Sequence, residues 1–268
     1  MPKISIITVN KDNAVGLKKT INSIVNQIYT DYEWIVIDAA SKDGSVDLIK
    51  QYEHHISYWV SEPDGGIYAG MNKGIARASG EYLIFLNSGD TFVDAKVLQH
   101  TFEEKINSDI VIGQINFKSY EGKNMIDYAI RQTHITLFSL YLYGIPHQAT
   151  FIRKKLFDEI GLYDTNAKIV ADWKFFVDSI INHNCSYQII PVTIANFDDS
   201  GLTSLNAEKM YQEKVRVFNE MFPPRIVENY NFAFQHHYDI YRLQWLLKHP
   251  FIYKLNKLFI SLGMRIIK

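Results

Sequence analysis

Four short stretches of this chain concentrate residue types that hold oxygen-rich ligands: "TVNKDN" (8–13), "DAASKDGS" (38–45), "SEPDGG" (61–66) and "NSGD" (87–90). Asp, Asn, Ser and Gly are also what turns are made of, so each stretch taken singly reads first as a turn. Together they carry more. Each follows an apolar run, and a doubly wound sheet opens its strand-end loops on one edge, where ligands bind. The last stretch is tipped by Asp90, with no Cys or His beside it. That donor chemistry suits a hard ion such as Mg²⁺ or Mn²⁺ shared with a diphosphate. The plainer alternative is that Gly89 only closes the turn.

The elements that must position these loops follow from periodicity. "ISIITV" (4–9) is a continuous β-branched run of the kind found in a parallel strand covered on both faces. Strands are also predicted over 33–39, 56–60, 82–87 and 109–117, separated by helices from about Leu17 to Ile28 and over 43–52, 69–78 and 94–106. Asp43 or Ser45 is the expected cap of the second helix. Further on, 153–160 and 171–183 read as helices and 186–197 as extended. From about Ser204 the pattern is helical, broken near Pro223-Pro224 and Pro250. The fold class is therefore α/β, an open parallel sheet flanked by helices over 1–205, with a helical extension over 206–268.

Composition narrows the function. The chain is 268 residues long and 47% hydrophobic, enough for one substantial core with an appendage. Its single Cys185 excludes an intrachain disulfide framework and a multi-cysteine zinc site. Residues 1–20 lack a signal-peptide pattern and no uncharged apolar run is long enough to span a bilayer, so the cytoplasm is the expected compartment. No G-x-G-x-x-G follows the first strand and no G-x-x-x-x-G-K-[ST] occurs, which argues against a dinucleotide dehydrogenase and a P-loop NTPase. There is no G-x-S-x-G elbow. His54-His55 and His236-His237 lack metal-ligand spacing. The acidic body without a basic, aromatic patch gives no support to a nucleic-acid role.

The ordered series "PKISIITVNKDN", "IVIDAASKDGS", "SEPDGGIYAGMNKGIARASGEYLIFLNSGD", "HQATFIRKKLFDEIGLYD" and "ADWKFF" resembles glycosyltransferase family 2 over roughly residues 2–205. The resemblance implies the GT-A fold and an inverting transfer of a sugar from a nucleotide-diphospho-sugar, by family habit a UDP-sugar. "LNSGD" looks like a variant of the family's D-x-D element, similar to that of bacterial enzymes of exopolysaccharide, capsule or O-antigen synthesis. The resemblance places Thr8, Val9 and Asn10 beside the base and ribose. It makes Asp38 a base contact, although Ala39 stands where a second acid is common. Asp64, Met71, Asn72, Lys73, Asn87 and Ser88 join the donor-binding set. Asn87 and Gly89 replace the acids of the D-x-D triplet, leaving Asp90 as the implied ligand of a divalent metal. Asp172 matches the general base, with an N-cap as its plainer role. Trp173, His147 and Gln148 would line the acceptor or donor sugar, and Ser200 to Ser204 fall in a loop that often closes over the diphosphate. The acceptor class it suggests is a glycan or a polyprenyl-linked glycan.

The tail differs from the body. From Tyr241 to Lys268 there are six basic residues and no acid, leaving 22 basic and 29 acidic residues upstream, a net charge of −7. Leu243, Leu246, Leu247 and Phe251 could form one apolar face, and Leu255, Leu258, Phe259, Leu262 and Ile266 another, with Trp245 and Tyr253 as anchors. This suits a helix lying on the anionic inner face of the cell membrane. Packing on the catalytic domain, or on a second subunit in a homodimer, is the equal alternative. Two other functions stay open at this level. A sugar-nucleotidyltransferase would need a Gly-rich basic loop after strand one, and "VNKDNAVG" fits that poorly. A binding scaffold without chemistry is kept in view by the acids missing at Asn87 and Gly89.

Overall fold

The computed structural model describes residues 2–103, 106–118, 124–127, 134–198 and 207–236, together with 239, 242, 245–254 and 257. Strand β1 (Ile4–Asn10) is buried along its whole length. It pairs in parallel with β2 (Tyr32–Asp38) and β4 (Tyr82–Phe85), and β2 pairs in parallel with β3 (Tyr58–Ser61). Between them lie α1 (Ala14–Val25), α2 (Ser45–Gln51) and α3 (Ile67–Arg77). Asn13 caps α1 by accepting from Gly16 N at 3.0 Å, and Leu17, Ile21 and Ile24 recur along its buried face. The second helix is capped differently from the expectation: Gly44 takes the N-cap at φ +95°, while the Asp43 carboxylate accepts from Ser45 N at 3.1 Å.

The predicted parallel rhythm ends at β4. The sheet has the order β3-β2-β1-β4-β8-β6-β9-β5, with β7 (Asn124–Asp127) beside β6 (Ile110–Lys118). Strand β8 (Thr150–Arg153) runs antiparallel to both β4 and β6, and β9 (Tyr187–Asn196) runs parallel to β6. Strand β5 (Thr91–Phe92) closes the order antiparallel to β9. The sheet is therefore parallel in its first half and mixed in its second. Antiparallel β8 has a consequence for the edge: its leading residues lie beside the trailing end of β4.

Shorter helices complete this body: α4 (Val97–Glu103), α5 (Leu137–Leu142), α6 (Lys154–Glu159) and α7 (Ala171–Val177). The helix predicted over 171–183 is α7 followed by a π-helical turn, Asp178–Asn182. The sheet packs Ile4, Ile6, Trp34, Val36, Ile84 and Phe151 against the helices as one core. Each such side chain contributes roughly 1.5–3 kcal/mol by leaving water.

The chain divides into two compact units, Met1–Lys214 and Val215–Lys268, within α8 (Ala207–Met221). The sequence boundary at 205/206 lies outside the described residues. In the second unit α8 ends before Pro223, and α9 (Pro224–Gln235) begins with Pro at its first position, where its missing N–H is tolerated. Phe218 packs on Phe222 and Tyr230 at ring separations of 4.9 and 5.6 Å. Leu243, Leu255, Leu258, Phe259, Leu262 and Ile266 of the tail lie outside the described residues.

Helix α3 lies so close to β1 that a Cβ at Gly74 would come within 2.4 Å of the Ile7 side chain. Ile7 is fully buried and cannot swing away. Gly74→Val is expected to cost about 1–3 kcal/mol of stability through overpacking, measured as a lower urea midpoint with unchanged slope.

Candidate active site

Register brings the polar loops to one edge. Asn10 pairs with Asp38 across β1 and β2, and Asp38 with Ser61 across β2 and β3. The side chains follow the backbone. Asp38 Oδ1 accepts from Asn10 Nδ2 at 2.7 Å and Ser41 Oγ at 2.6 Å. Its Oδ2 accepts from Ser41 N at 2.9 Å and Ser61 Oγ at 2.6 Å. Burial alone would raise this carboxyl's pKa, but the hydrogen bonds from Ser41, Ser61 and Asn10 hold it below its ordinary value. Fully buried, Asp38 is a clamp for three strand ends.

The 87–90 loop follows β4 beside β1, with Ser88 N donating to Val9 O at 3.1 Å. Thr20 braces it from α1: its hydroxyl donates to Asp90 O at 2.8 Å and accepts from Gly89 N at 3.0 Å. Ser88 O accepts from Asn13 Nδ2 at 3.0 Å. Gly89 has φ +110°, a conformation that favours glycine. Asp90 is almost wholly buried, accepting from Asp198 N at 2.9 Å and from the Gln148 side chain. Burial, aided by the like charge of Asp198, pushes its pKa up to about 6 against the pull of those hydrogen bonds and of His147.

Across the loop, a 3₁₀ turn (His147–Ala149) precedes β8 and sets His147 next to Asn87. His147 Nδ1 lies 2.8 Å from Asp172 Oδ2, and Asn87 Nδ2 lies 3.3 Å from His147 Nε2. A neutral His147 with its proton on Nδ1 donates to Asp172 and can accept from the Asn87 amide at Nε2. Tyr68 completes the arrangement from α3, its hydroxyl 2.7 Å from Asp172 Oδ1 and 2.8 Å from Ile169 O. Burial would raise the pKa of Asp172, but the hydrogen bond and charge of His147 and the hydroxyl of Tyr68 lower it. Burial would lower that of His147, but Asp172 and Asp90 raise it. The N-cap of α7 is Val170, so Asp172 lies inside the first turn and is not a cap.

This dyad opens on a cavity of about 380 Å³ lined by Leu142, Tyr143, Ile145, Trp173, Phe197 and Lys214 among others. Trp173 Nε1 donates to Leu140 O at 2.8 Å, which fixes the ring as a wall. Lys214 Nζ lies 4.9 Å from the centre of that ring, and burial lowers its pKa to about 8 despite the charge of Asp172.

Several residues that the resemblance places at the donor have partners within the protein. Thr8 is fully buried, its hydroxyl accepting from Trp34 Nε1 at 3.1 Å, and Val9 packs against Gly70. Met71 is in the core. Asn72 exchanges two hydrogen bonds with the backbone of Tyr163, and Lys73 pairs with Glu62 at 2.8 Å. Asn72, one turn after Tyr68 on α3, shares its face and meets the same residue, Tyr163, whose ring lies 5.5 Å from that of Tyr68. Asp64 uses Oδ1 to accept from Gly66 N at 2.9 Å, while its buried Oδ2 has no partner among the described residues. Ser200 and Ser204 lie outside the described residues. Tyr68, Thr20, Asp198 and Lys214 were not anticipated. Only Tyr68 had a signal, being adjacent to the "DGG" turn.

The model of the family "Glycosyl transferase family 2" matches residues 4–161. An uncharacterized glycosyltransferase of Mycobacterium tuberculosis is 34% identical over 226 residues, covering 82% of each chain. A PGL/p-HBAD biosynthesis glycosyltransferase of Mycobacterium bovis is 25% identical over 226 residues, covering 80% of this chain and 84% of that one. Among solved structures, S. aureus TarS in complex with UDP-GlcNAc superposes with a TM-score of 0.65 at 17% identity, covering 80% of this chain and 65% of that chain. A Pyrobaculum calidifontis mannosyltransferase in complex with GDP-Man and Mn²⁺ gives a TM-score of 0.60 at 14% identity, covering 86% and 68%. These likenesses establish the GT-A fold of the body.

Because Asp90 is easier to protonate in the folded state than the roughly 3.9 of a free Asp, its contribution to stability is present below that value and lost as pH rises through about 6. The thermal midpoint of metal-free protein is expected to fall between pH 5 and 7. Asp90→Asn should flatten that interval, leaving the later change from His147, whose raised pKa acts in the same sense at higher pH. Scanning calorimetry across pH checks both.

Proposed function

This chain belongs to glycosyltransferase family 2 and is a glycosyltransferase, and on that premise we propose an inverting transfer from a UDP-sugar to a hydroxyl of a glycan or polyprenyl-linked glycan acceptor. The observation that carries this reading is Asp172, fixed by His147 and Tyr68 at the mouth of the cavity on the same edge as the 87–90 loop. The acceptor hydroxyl oxygen forms the new bond to the sugar's C1 while the bond from C1 to the diphosphate breaks, the diphosphate taking the electron pair. The hydroxyl proton passes to Asp172. The lowered pKa keeps Asp172 ionised at neutral pH and ready to accept it. His147 and Tyr68 position the carboxylate. Apolar Leu142, Ile145 and Phe197 exclude water from the acceptor side.

A divalent ion, Mn²⁺ or Mg²⁺, would supply positive charge to the departing diphosphate when bound. Among the described residues no group of three His, Cys, Asp or Glu could hold a metal alone. The residues nonetheless fit a hard cation: Asn87 Oδ1 is a buried oxygen with no hydrogen-bond partner among the described residues, in the same loop as Asp90, whose N–H donates to Asn87 O at 3.0 Å. The Pyrobaculum neighbour with GDP-Man and Mn²⁺ supports this reading. Donor turnover with UDP-, GDP- and dTDP-sugars and Mn²⁺ tests it. Asp172→Asn should lose at least about 100-fold in transfer while keeping donor binding by thermal shift. Equal turnover in variant and wild type would remove Asp172 as the base.

The basic tail supports a peripheral contact with the inner face of the cell membrane. Trp245, Leu247 and Phe251 are 52%, 57% and 76% exposed, interspersed with Lys248 and Lys254. Among the described residues no helix is long and apolar enough to cross a membrane. The protein is expected to sediment with phosphatidylglycerol vesicles at low salt, and Trp245→Ser with Phe251→Ser to weaken this several-fold. Equal sedimentation of variant and wild type would assign the tail to protein packing.

A further inference from the structure

Lys214, on α8, lines the cavity beside Asp172, and its ammonium has no counter-ion among the described residues. We infer that Lys214 is the contact for an anionic group on the acceptor: the sugar unit whose hydroxyl meets Asp172 bears a carboxylate or a phosphate, on the unit itself or at its direct linkage. This rests on the reading of Asp172 as the base toward an acceptor hydroxyl, and adds the acceptor's charge to it.

The first observation is how few of its donors are used. An ammonium carries three N–H donors. Among the described residues Lys214 Nζ has one acceptor, Leu140 O at 3.4 Å, longer than the roughly 2.7–3.2 Å of an ordinary bond. That carbonyl already accepts from Trp173 Nε1 at 2.8 Å. The ammonium is held by rings instead, 4.9 Å from the centre of Trp173 and 5.7 Å from that of Tyr141. Ring faces favour a cation but offer no oxygen to its N–H groups.

The second observation is that the neighbouring acid is occupied elsewhere. Asp172 is the charge that acts on Lys214, yet its Oδ1 accepts from Tyr68 and its Oδ2 lies 2.8 Å from His147 Nδ1. Burial outweighs the attraction of Asp172 and lowers the lysine's pKa to about 8, which leaves the side chain charged at neutral pH. One cavity is thus lined by a carboxylate and an ammonium that do not spend their bonds on each other.

The third observation concerns the walls. Much of the remaining lining is apolar, including Phe117, Leu142, Ile145, Val170 and Phe197. A cation among such side chains gains most from an opposite charge, because they offer no acceptor and little screening. At about 380 Å³ the cavity is at the small end of ligand sites, which span roughly 300–1,000 Å³. A group that reaches Lys214 therefore belongs to the same sugar unit as the hydroxyl at Asp172, or to its direct linkage. A lysine serving only to pack its stem would carry its head out to open water.

The test is a ligand-observed NMR titration of glucuronic acid, glucose-1-phosphate and methyl glucoside, with and without saturating UDP, for wild type, Lys214→Met and Lys214→Arg. Wild type should bind one of the two anionic probes at least about tenfold more tightly than methyl glucoside, and the one preferred tells carboxylate from phosphate. Lys214→Met, which keeps the stem, should erase that preference. Lys214→Arg, which keeps the charge, should retain most of it. The melting temperature of Lys214→Met should not fall, because the change removes an ion that lacks a counter-ion. No preference for either anion in wild type, or a preference that survives in Lys214→Met, overturns the inference. So does a loss that follows a lowered melting temperature and is not eased by Arg. An equal weakening of UDP binding in Lys214→Met overturns it too, assigning the lysine to the donor's diphosphate. Wild type that binds an anionic probe through Lys214 but neither UDP nor a UDP-sugar overturns the donor reading instead.

Discussion

Strand β4 pairs with two neighbours of opposite sense, and the active edge depends on that constraint. Parallel pairing with β1 carries the end of β4 out to the edge where β1, β2 and β3 also end. Antiparallel pairing with β8 brings the start of β8 to the same place. A helix-linked parallel strand there would have put its own C-terminal end at this edge and the turn holding His147 at the far one. The reversal is why Asn87 and His147, 60 positions apart, lie 3.3 Å from each other.

The edge divides electrostatically into two halves. Asp172 is kept charged by donors on both oxygens, one from α3 and one from the turn before β8. Such a carboxylate is charged and fixed in orientation, the state that the proposed role of base requires. Lys214 and Trp173 enclose it from the other side, and burial lowers the lysine's pKa to about 8. Asp90 is pushed the opposite way, with its pKa up to about 6. Environments that drive neighbouring carboxylates apart in pKa are a mark of functional sites.

Rigidity comes from buried polar groups with complete partnerships. Asp38 takes hydrogen bonds from Asn10, Ser41 and Ser61 and so locks the ends of three strands. Each bond to such a charge is worth about 1.5–3 kcal/mol, and losing a partner would leave the carboxylate buried and underbonded. Thr20 performs a similar service for the loop at 87–90 from one hydroxyl. Asn10, Asp64 and Asn87 depart from this pattern, each keeping a buried oxygen without a hydrogen-bond partner among the described residues.

The sequence by itself determined the family and the alternation of strands and helices through Phe85, because β-branched runs and helical spacing are local signals read over one element. It also determined that Asp, Asn, Ser and Gly would collect at strand ends, and it marked Asp172 and His147 separately. Only the tertiary structure decided that those two form a pair, that Tyr68 joins them, and that Asp198 lies over Gly89. Those contacts bridge 25, 104 and 108 or so positions of chain. Their formation depends on strand direction and register, which side-chain periodicity does not encode. The same limit explains why the partners of Thr8, Asn72 and Lys73, namely Trp34, Tyr163 and Glu62, were not legible in the sequence. A motif specifies which residues are near one another in sequence, while the twist of a strand and the 3.6-residue turn of a helix decide which of them point at the same space.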